Sequence, residues 1–362
     1  MKPYRIKDYD RKYGVLSSKV KWPGARQGNR RASIRIRAEY AGTGVLDFLC
    51  CRFTYHDRGK WTRLIRAGNV RINDRETNPL AELNAGDELA YVGFDEIEPP
   101  VCEQYDVLYE DEDLLVINKP GNLPCHPGGR YFRHTLWHLL TARYRMGALH
   151  FINRLDRETS GIVLVAKTLD AGNACRRQFE SGSVQKQYRV AVYGDFPLGK
   201  IGAQGGLSRD MTSSVRKKQR FIVSGAYDFS SDAVKFCQTD FQLLARNRGL
   251  SLLAAFPVTG RLHQIRTTLF SMGYPVVGDK LYGPDDTLFL RFIEDRLTAE
   301  DKQKLILSRQ ALHAYRVQLL HPVSGRKMDW IAPLPAEIES LFNEVIPNPE
   351  KPDAGMLGCW DA

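Results

Sequence analysis

No stretch of this 362-residue chain approaches eighteen consecutive apolar residues, so none reads as a membrane-spanning helix. The first thirty residues hold no apolar core such as a secretory signal requires, which predicts a cytoplasmic protein with no membrane partner. Cysteine is sparse: seven residues, an odd number, with Cys50 and Cys51 adjacent and no C-x-x-C pair. That usage argues against a disulfide framework and for a reducing compartment. His134 and His138 stand four apart and could share a helical face, but no third ligand lies near them, so no metal is expected. Fixed-period repeats are absent, and so is the regular strand–helix alternation of a doubly wound sheet.

What the chain does have is positive charge in one place. Its 52 Lys and Arg exceed its 42 Asp and Glu by ten. Twelve of the basic residues and only two acids fall within residues 1–37, leaving forty of each sign elsewhere. A neutral body with a basic amino-terminal arm points to a polyanion, nucleic acid or an anionic membrane surface, with nucleic acid favoured over a merely solubilising tail.

Residues 1–37 read as a flexible basic arm without apolar period. Residues 38–97 read as a small α+β module. Val45, Leu46, Leu49 and Phe53 have helical spacing, Trp61, Leu64 and Ile65 mark a second helix ending near Gly68, and residues 81–93 suggest a hairpin turning at Asn84–Asp87. Residues 98–104, with Pro99-Pro100, form a linker, 105–340 a mixed and mainly antiparallel α+β body, and 341–362 a poorly ordered tail. In the body, residues 107–120 read as two strands around an acidic turn, 161–168 as a buried strand, 169–184 as a helix and 186–196 as a strand. Residues 241–260 form a hairpin turning at Asn247–Gly249, followed by a short helix and a strand over 312–322.

Four segments bear groups suited to chemistry. NRLDRETSG places Asp156 between Arg154 and Arg157, just before a buried strand. Flanking guanidiniums keep a carboxylate ionised and fit to act as base or nucleophile, although by default such an Asp is half of a surface ion pair. GRLHQIR crowds Arg261, His263, Gln264 and Arg266 at a helix start, which suits phosphate or carboxylate, or is merely a basic surface helix. Tyr188 in KQYRVAVYG would ordinarily be core filling. KPGNLPCHPGGR is an irregular loop bearing Lys119, His126 and Arg130.

Taken together, in this order and spacing, NRLDRETSG, KQYRVAVYG, GRLHQIRTTLFSMGYPVVGD, and LHAYRVQLLHP with WIAPLP resemble the RluA-type RNA pseudouridine synthases over about residues 105–336. The small module resembles the S-four-like RNA-binding domain, through Arg63, Leu64, Ile65, Gly68, Val70, Asn73, Gly86 and Asp87. One departure stands out: the family usually carries His where this chain has Asn153, and since Asn still hydrogen-bonds, the loop geometry is expected to persist.

The resemblance implies a pseudouridine synthase fold that isomerises uridine in structured ribosomal or transfer RNA. The base is flipped out, its N–C glycosidic bond is broken, and it is rejoined through carbon without a cofactor. It implies Asp156 as the essential carboxylate, Arg266 as its partner and Tyr188 as the residue stacking on the flipped base. Arg154 would fill the vacated space, with Ile265 and Leu312 on the pocket floor. Arg261, His263, Gln264, Lys119, Arg130 and Arg63 are expected at the RNA, as are the basic residues of 209–220. RNA is the only partner implied, with no obligatory protein partner. Two readings of other classes compete. A non-catalytic RNA-binding protein retaining the fold is favoured only by Asn153, and a hydrolase using Asp156 would release free base.

Overall fold

A computed structural model of the chain describes residues 31–53, 56–92, 98–144, 149–213, 215, 217–223, 234–283, 285 and 287–343. The chain forms two compact units. One runs to Pro99 and includes Gly128–Arg130; the other comprises Pro100–Pro127 and Tyr131–Ala362.

The first unit begins with a strand, β1 (Arg31–Arg35), where the sequence suggested an unstructured arm. The basic residues of SIRIR alternate with Ile34 and Ile36, and Ile36 is buried. Period-two patterning was masked there by the dominance of charge. Helices α1 (Val45–Arg52) and α2 (Arg58–Arg66) follow, then β2 (Val70–Ile72), β3 (Arg75–Glu76) and β4 (Glu88–Val92). Asp57 caps α2 by accepting from the Lys60 amide at 2.6 Å, which satisfies one of the orphan donors of the first turn. Trp61 and Ile65 on the inner face of α2 pack with Phe48, Leu49 and Val70, while Arg63 and Arg66 face outward. The sheet order is β1-β4-β2-β3, antiparallel throughout. The expected hairpin over 81–93 does not form. Asn84–Asp87 is a turn, but β4 takes β1 and β2 as neighbours, and Glu82 makes only an isolated bridge to Gly44.

The second unit is built on one large sheet. Its elements are β5 (Asp106–Glu110), β6 (Leu114–Lys119), α3 (Leu136–Tyr144), β7 (His150–Phe151), β8 (Ser160–Ala166), α4 (Leu169–Ser181) and β9 (Gln185–Tyr193). Then come β10 (Lys200–Arg209), β11 (Gln219–Val223), β12 (Lys235–Asn247), β13 (Leu250–Pro257), α5 (Gln264–Ser271), α6 (Thr287–Ile293), α7 (Ala299–Leu305), β14 (Leu312–Leu320), β15 (Lys327–Ile331) and α8 (Ala336–Glu339). The order is β11-β10-β12-β13-β9-β14-β8-β6-β5, with β15 on β14 and β7 on β8. Every pairing is antiparallel except β8 with β14. All seven residues of β8 are buried, as its unbroken apolar run requires. Ile162 and Leu164 pack on one side with Leu114 and Val317; Val163 and Val165 pack on the other with Leu115 and Leu136.

Strand β14 is the fold's meeting point. It aligns His313 with Ser160 of β8 and Ala314 with Tyr188 of β9, so the loop preceding β8 arrives beside the tyrosine strand. The close approach leaves no room at Gly161, whose φ is +108°; a Cβ there would lie 2.2 Å from the Ala314 carbonyl oxygen. At the carboxyl end, Phe342 is fully buried with Ile338 and Ala311, so residues 341–343 are packed where a poorly ordered tail was expected. Residues 1–30 of the arm and 344–362 of the tail lie outside the described residues. Among the described residues, no helix is long and apolar enough to cross a membrane.

Candidate active site

Asp156 sits in the tight turn leading into β8, where the Thr159 amide donates to its backbone carbonyl at 3.1 Å. Arg266, near the start of α5, donates through Nη1 to Asp156 Oδ2 at 2.7 Å. The rest of its fork is held from behind: Nε and Nη2 donate to Asp279 at 2.6 and 2.9 Å. Asp279 is fully buried and also accepts from the amides of Leu281 and Tyr282 at 2.9 and 3.0 Å. Arg266 therefore lies between two carboxylates, one sealed and one 29% exposed. The accessible one is Asp156, where a substrate can reach it.

Burial opposes ionisation of Asp156. The charges of His263 and Arg266 and hydrogen bonds from Arg266 and Gln310 overcome it and hold the carboxyl at about 2. His263 lies 3.9 Å from Asp156 and pairs through Nδ1 with the Tyr282 hydroxyl at 2.9 Å. Burial lowers His263 to about 4 despite the attraction of Asp156, so the ring adds its charge only at low pH, and at neutral pH the positive charge in direct contact with the carboxylate is the Arg266 guanidinium. His263 also adopts φ +57°, a left-handed conformation uncommon for a non-glycine residue and characteristic of strained functional positions.

Tyr188 lines an apolar cluster with Ile265, Leu312 and Val190. These side chains come from β9, α5 and β14, separated by scores of residues in the chain. Burial and then the Asp156 charge raise the Tyr188 phenol to about 12, so it is a proton-bearing hydroxyl near the carboxylate. An ionised carboxylate, a fixed guanidinium, a neutral phenol and an apolar floor can together receive a flat, neutral ring and act on the group attached to it.

The loop is pinned on every side. Asn153 donates to the Ile162 carbonyl at 3.0 Å and accepts from the Leu164 amide at 2.8 Å, tying the loop to β8 as a short extra ladder rung. Glu158 accepts twice from Lys280 at 3.0 Å, and its carbonyl takes a bond from Arg309 at 3.0 Å. Arg157 hydrogen-bonds Tyr131 and lies over the Phe292 ring. Arg154 alone among these side chains is exposed.

Several residues expected at the RNA surface are elsewhere. Lys119 is fully buried and donates to the carbonyls of Pro120, Leu123 and Arg157 at 2.7, 2.8 and 3.3 Å, so it supports the loop from beneath and cannot meet a phosphate. Gln264 is buried with its amide saturated, accepting from Thr259 and the Arg261 amide and donating to Gln238 and Thr239. His263 turns inward to Tyr282 and Asp156 rather than outward. Arg261 is half-buried and donates to the Phe236 carbonyl at 3.1 Å. Arg63 and Arg130 are exposed. In the 209–220 segment, Arg209, Lys217 and Arg220 are exposed, Lys218 is buried near Phe270, and Arg216 lies outside the described residues. The residues missed by sequence reasoning are Asp279, Tyr282 and Gln310. The available signal was a lone acid after the apolar run PVVG, where an unpaired charge would be costly.

Residues 113–271 match the family model described as RNA pseudouridylate synthase. The ribosomal large subunit pseudouridine synthase D of Neisseria meningitidis serogroup B is 31% identical over 337 residues, covering 88% of this chain and 83% of that one. The ribosomal large subunit pseudouridine synthase C of Vibrio cholerae is 31% identical over 326 residues, covering 86% and 96%. Among solved structures, human RNA pseudouridylate synthase domain containing 1 shares the fold at a TM-score of 0.50 and 24% identity, covering 66% of this chain and 86% of that one. With relatives of this identity matched over most of their length, the chain belongs to the RluA-type RNA pseudouridine synthases.

Proposed function

We infer that the protein isomerises uridine to pseudouridine in large-subunit ribosomal RNA in the cytoplasm, with Asp156 as the reacting carboxylate. The observation that carries this reading is the 2.7 Å pair of Arg266 with a partly exposed, ionised Asp156 beside the cluster of Tyr188, Ile265 and Leu312. Ribosomal RNA is preferred over transfer RNA because the relatives are named for it.

The target base leaves its stack and enters the apolar cluster, with its ring against Tyr188. Arg154, exposed at the loop's edge, takes the space left behind in the RNA. Asp156 then acts on the ribose as nucleophile or base. Either role needs the charged form, which the neighbouring guanidinium supplies in advance of substrate. The N–C bond breaks, the retained uracil turns over, and its carbon bonds to the same ribose carbon. One proton leaves the uracil carbon that forms the new bond and one is gained by the freed ring nitrogen, so nothing is oxidised and the mass is unchanged. The Tyr188 hydroxyl, un-ionised at neutral pH, is placed to assist the proton movement. The basic arm, the small module of residues 38–97 with Arg63, and Arg130 hold flanking RNA. In this reading Asn153 is a structural pin, which removes the feature that favoured a non-catalytic protein.

The test compares wild type with Asp156→Ala on an unmodified large-subunit ribosomal RNA transcript. Wild type should produce a mass-silent, carbodiimide-reactive uridine, and the variant should bind RNA without producing it. The same product from both, or free uracil in the reaction, would overturn the assignment.

A further inference from the structure

Tyr282 is fully buried, and its hydroxyl meets two groups at hydrogen-bond distance. The backbone amide of Gln219, the first residue of β11, donates to it at 2.8 Å, and His263 Nδ1 lies 2.9 Å away. An amide can only donate, so one lone pair of the phenol oxygen is committed to β11. The Thr267 hydroxyl, one turn along α5 from His263, has no hydrogen-bond partner among the described residues, which leaves His263 to receive the phenolic hydrogen. An uncharged ring that accepts at Nδ1 carries its one hydrogen on Nε2. That nitrogen stands 3.9 Å from Oδ1 of Asp156, whereas Arg266 Nη1 bonds the other oxygen, Oδ2. The tautomer decides the sign of the contact: Nε2–H attracts the carboxylate oxygen, while a bare Nε2 turns a lone pair against it. The Arg266 guanidinium also lies over the Tyr282 ring, 5.0 Å from its centroid, so this one side chain touches both partners of Asp156.

Resting on the reading that Asp156 is the reacting carboxylate, we propose that Tyr282 is a positioning residue: it holds His263 as the Nε2–H tautomer and so orients the Asp156 oxygen that Arg266 does not bond. The two oxygens are then treated differently. A charged guanidinium grips Oδ2, and a neutral N–H faces Oδ1 from just beyond bonding distance. The neutral donor orients Oδ1 without cancelling its charge, which leaves that oxygen available to the substrate. The series starts at a main-chain amide and not at a rotatable side chain. The directions of the amide, phenol and imidazole hydrogens are therefore set before RNA arrives, as an orienting partner sets the imidazole of a catalytic triad.

Proton–nitrogen NMR of enzyme labelled at the histidine ring nitrogens reads the tautomer directly, with His263→Gln identifying the signal. At neutral pH, wild type should show hydrogen on Nε2 of His263 and a bare Nδ1, and Tyr282→Phe should lose that preference. On unmodified large-subunit ribosomal RNA, Tyr282→Phe should lose about tenfold in kcat, the worth of one ordinary hydrogen bond, with KM little changed because both side chains turn inward. Two further variants separate positioning from folding. His263→Gln puts an amide NH₂ near where Nε2 stands, and His263→Asn falls short of it, whereas the left-handed backbone at this position favours Asn. Positioning therefore requires His263→Gln to keep more activity than His263→Asn, and a merely structural role requires the reverse. Hydrogen on Nδ1 in the wild type, an unchanged kcat in Tyr282→Phe, or His263→Asn matching or exceeding His263→Gln overturns the proposal. An active Asp156→Ala enzyme would instead bring down the underlying reading, and this inference with it, even with the Nε2–H signal in place.

Discussion

Arg266 serves two carboxylates, and the buried one sets where it points. Replacing Asp279 by Asn leaves a buried guanidinium facing a neutral amide whose NH₂ group cannot accept. The expected cost is about 3 kcal/mol of folding stability, read from urea unfolding, with a parallel loss of activity as the Arg266 fork drifts from Asp156. Three imidazoles lowered by burial make a second prediction. His126, His263 and His313 are each lowered from 6.5 to about 4, chiefly by burial. A group protonated in the unfolded chain but neutral in the folded one favours unfolding as protons are added. Stability is therefore full above pH 6.5 and lost as pH falls towards 4, by on the order of 3 kcal/mol for a fully buried ring such as His313. Asp156 has the opposite relation between charge and fold: its depressed value adds stability above about pH 4 that is lost only towards pH 2. Urea midpoints measured at pH 7, 5.5 and 4 should fall in that order, and a flat profile would contradict the assignment of neutral, buried rings. At this scale the sequence exposed Asp156, Tyr188 and Arg266 through their motifs. It hid the roles of Lys119 and Gln264, because a basic or polar residue inside a functional motif looks the same whether it faces solvent or props up the loop.

Among the elements, β8 and the loop before it carry most of the precision. Gly161 is forced by the β8–β14 approach, so Gly161→Ala should cost more than about 3 kcal/mol and yield little soluble protein. Asn153 tests the loop more gently. Asn153→Ala removes two hydrogen bonds to β8 and leaves buried backbone groups unpaired, for about 2 kcal/mol and a reduced rate at saturating RNA. Asn153→Asp keeps the acceptor for the Leu164 amide and should fall between wild type and Ala. Equal stability in all three would show that the loop is held by Lys119, Lys280 and Arg309 alone. In the body β5, β6, β8, α4, β9 and the β12–β13 hairpin were readable because apolar period and turn residues are local signals, whereas α3, β10, β11, α6 and α7 were not predicted. The short β1 was not, since three arginines in seven residues (31–37) obscure the alternation of Ile34 and Ile36.

For the whole molecule the question is how charge meets RNA. Residues 1–30 hold nine Lys and Arg against two Asp, and their removal leaves β1 in place. Such a deletion should weaken RNA binding markedly at low salt and little at high salt, since counterion release supplies the affinity of such contacts. A deletion through residue 37 would also remove a strand and Ile36 from the core of the first unit, so a stability loss there would be a packing effect and not an electrostatic one.

The apolar periods and the uneven charge were enough to mark many elements and a basic leading segment, and the order of the motifs was enough to show a resemblance to the pseudouridine synthases, because these are properties of neighbours along the chain. The pairing of Asp156 with Arg266, 110 positions away, was suggested only by family likeness. The roles of Asp279 and Lys119 came solely from the folded chain. Such roles depend on which groups lose water together and which partners then remain to them, and that is decided by contacts across β14 and α5 that no local pattern encodes.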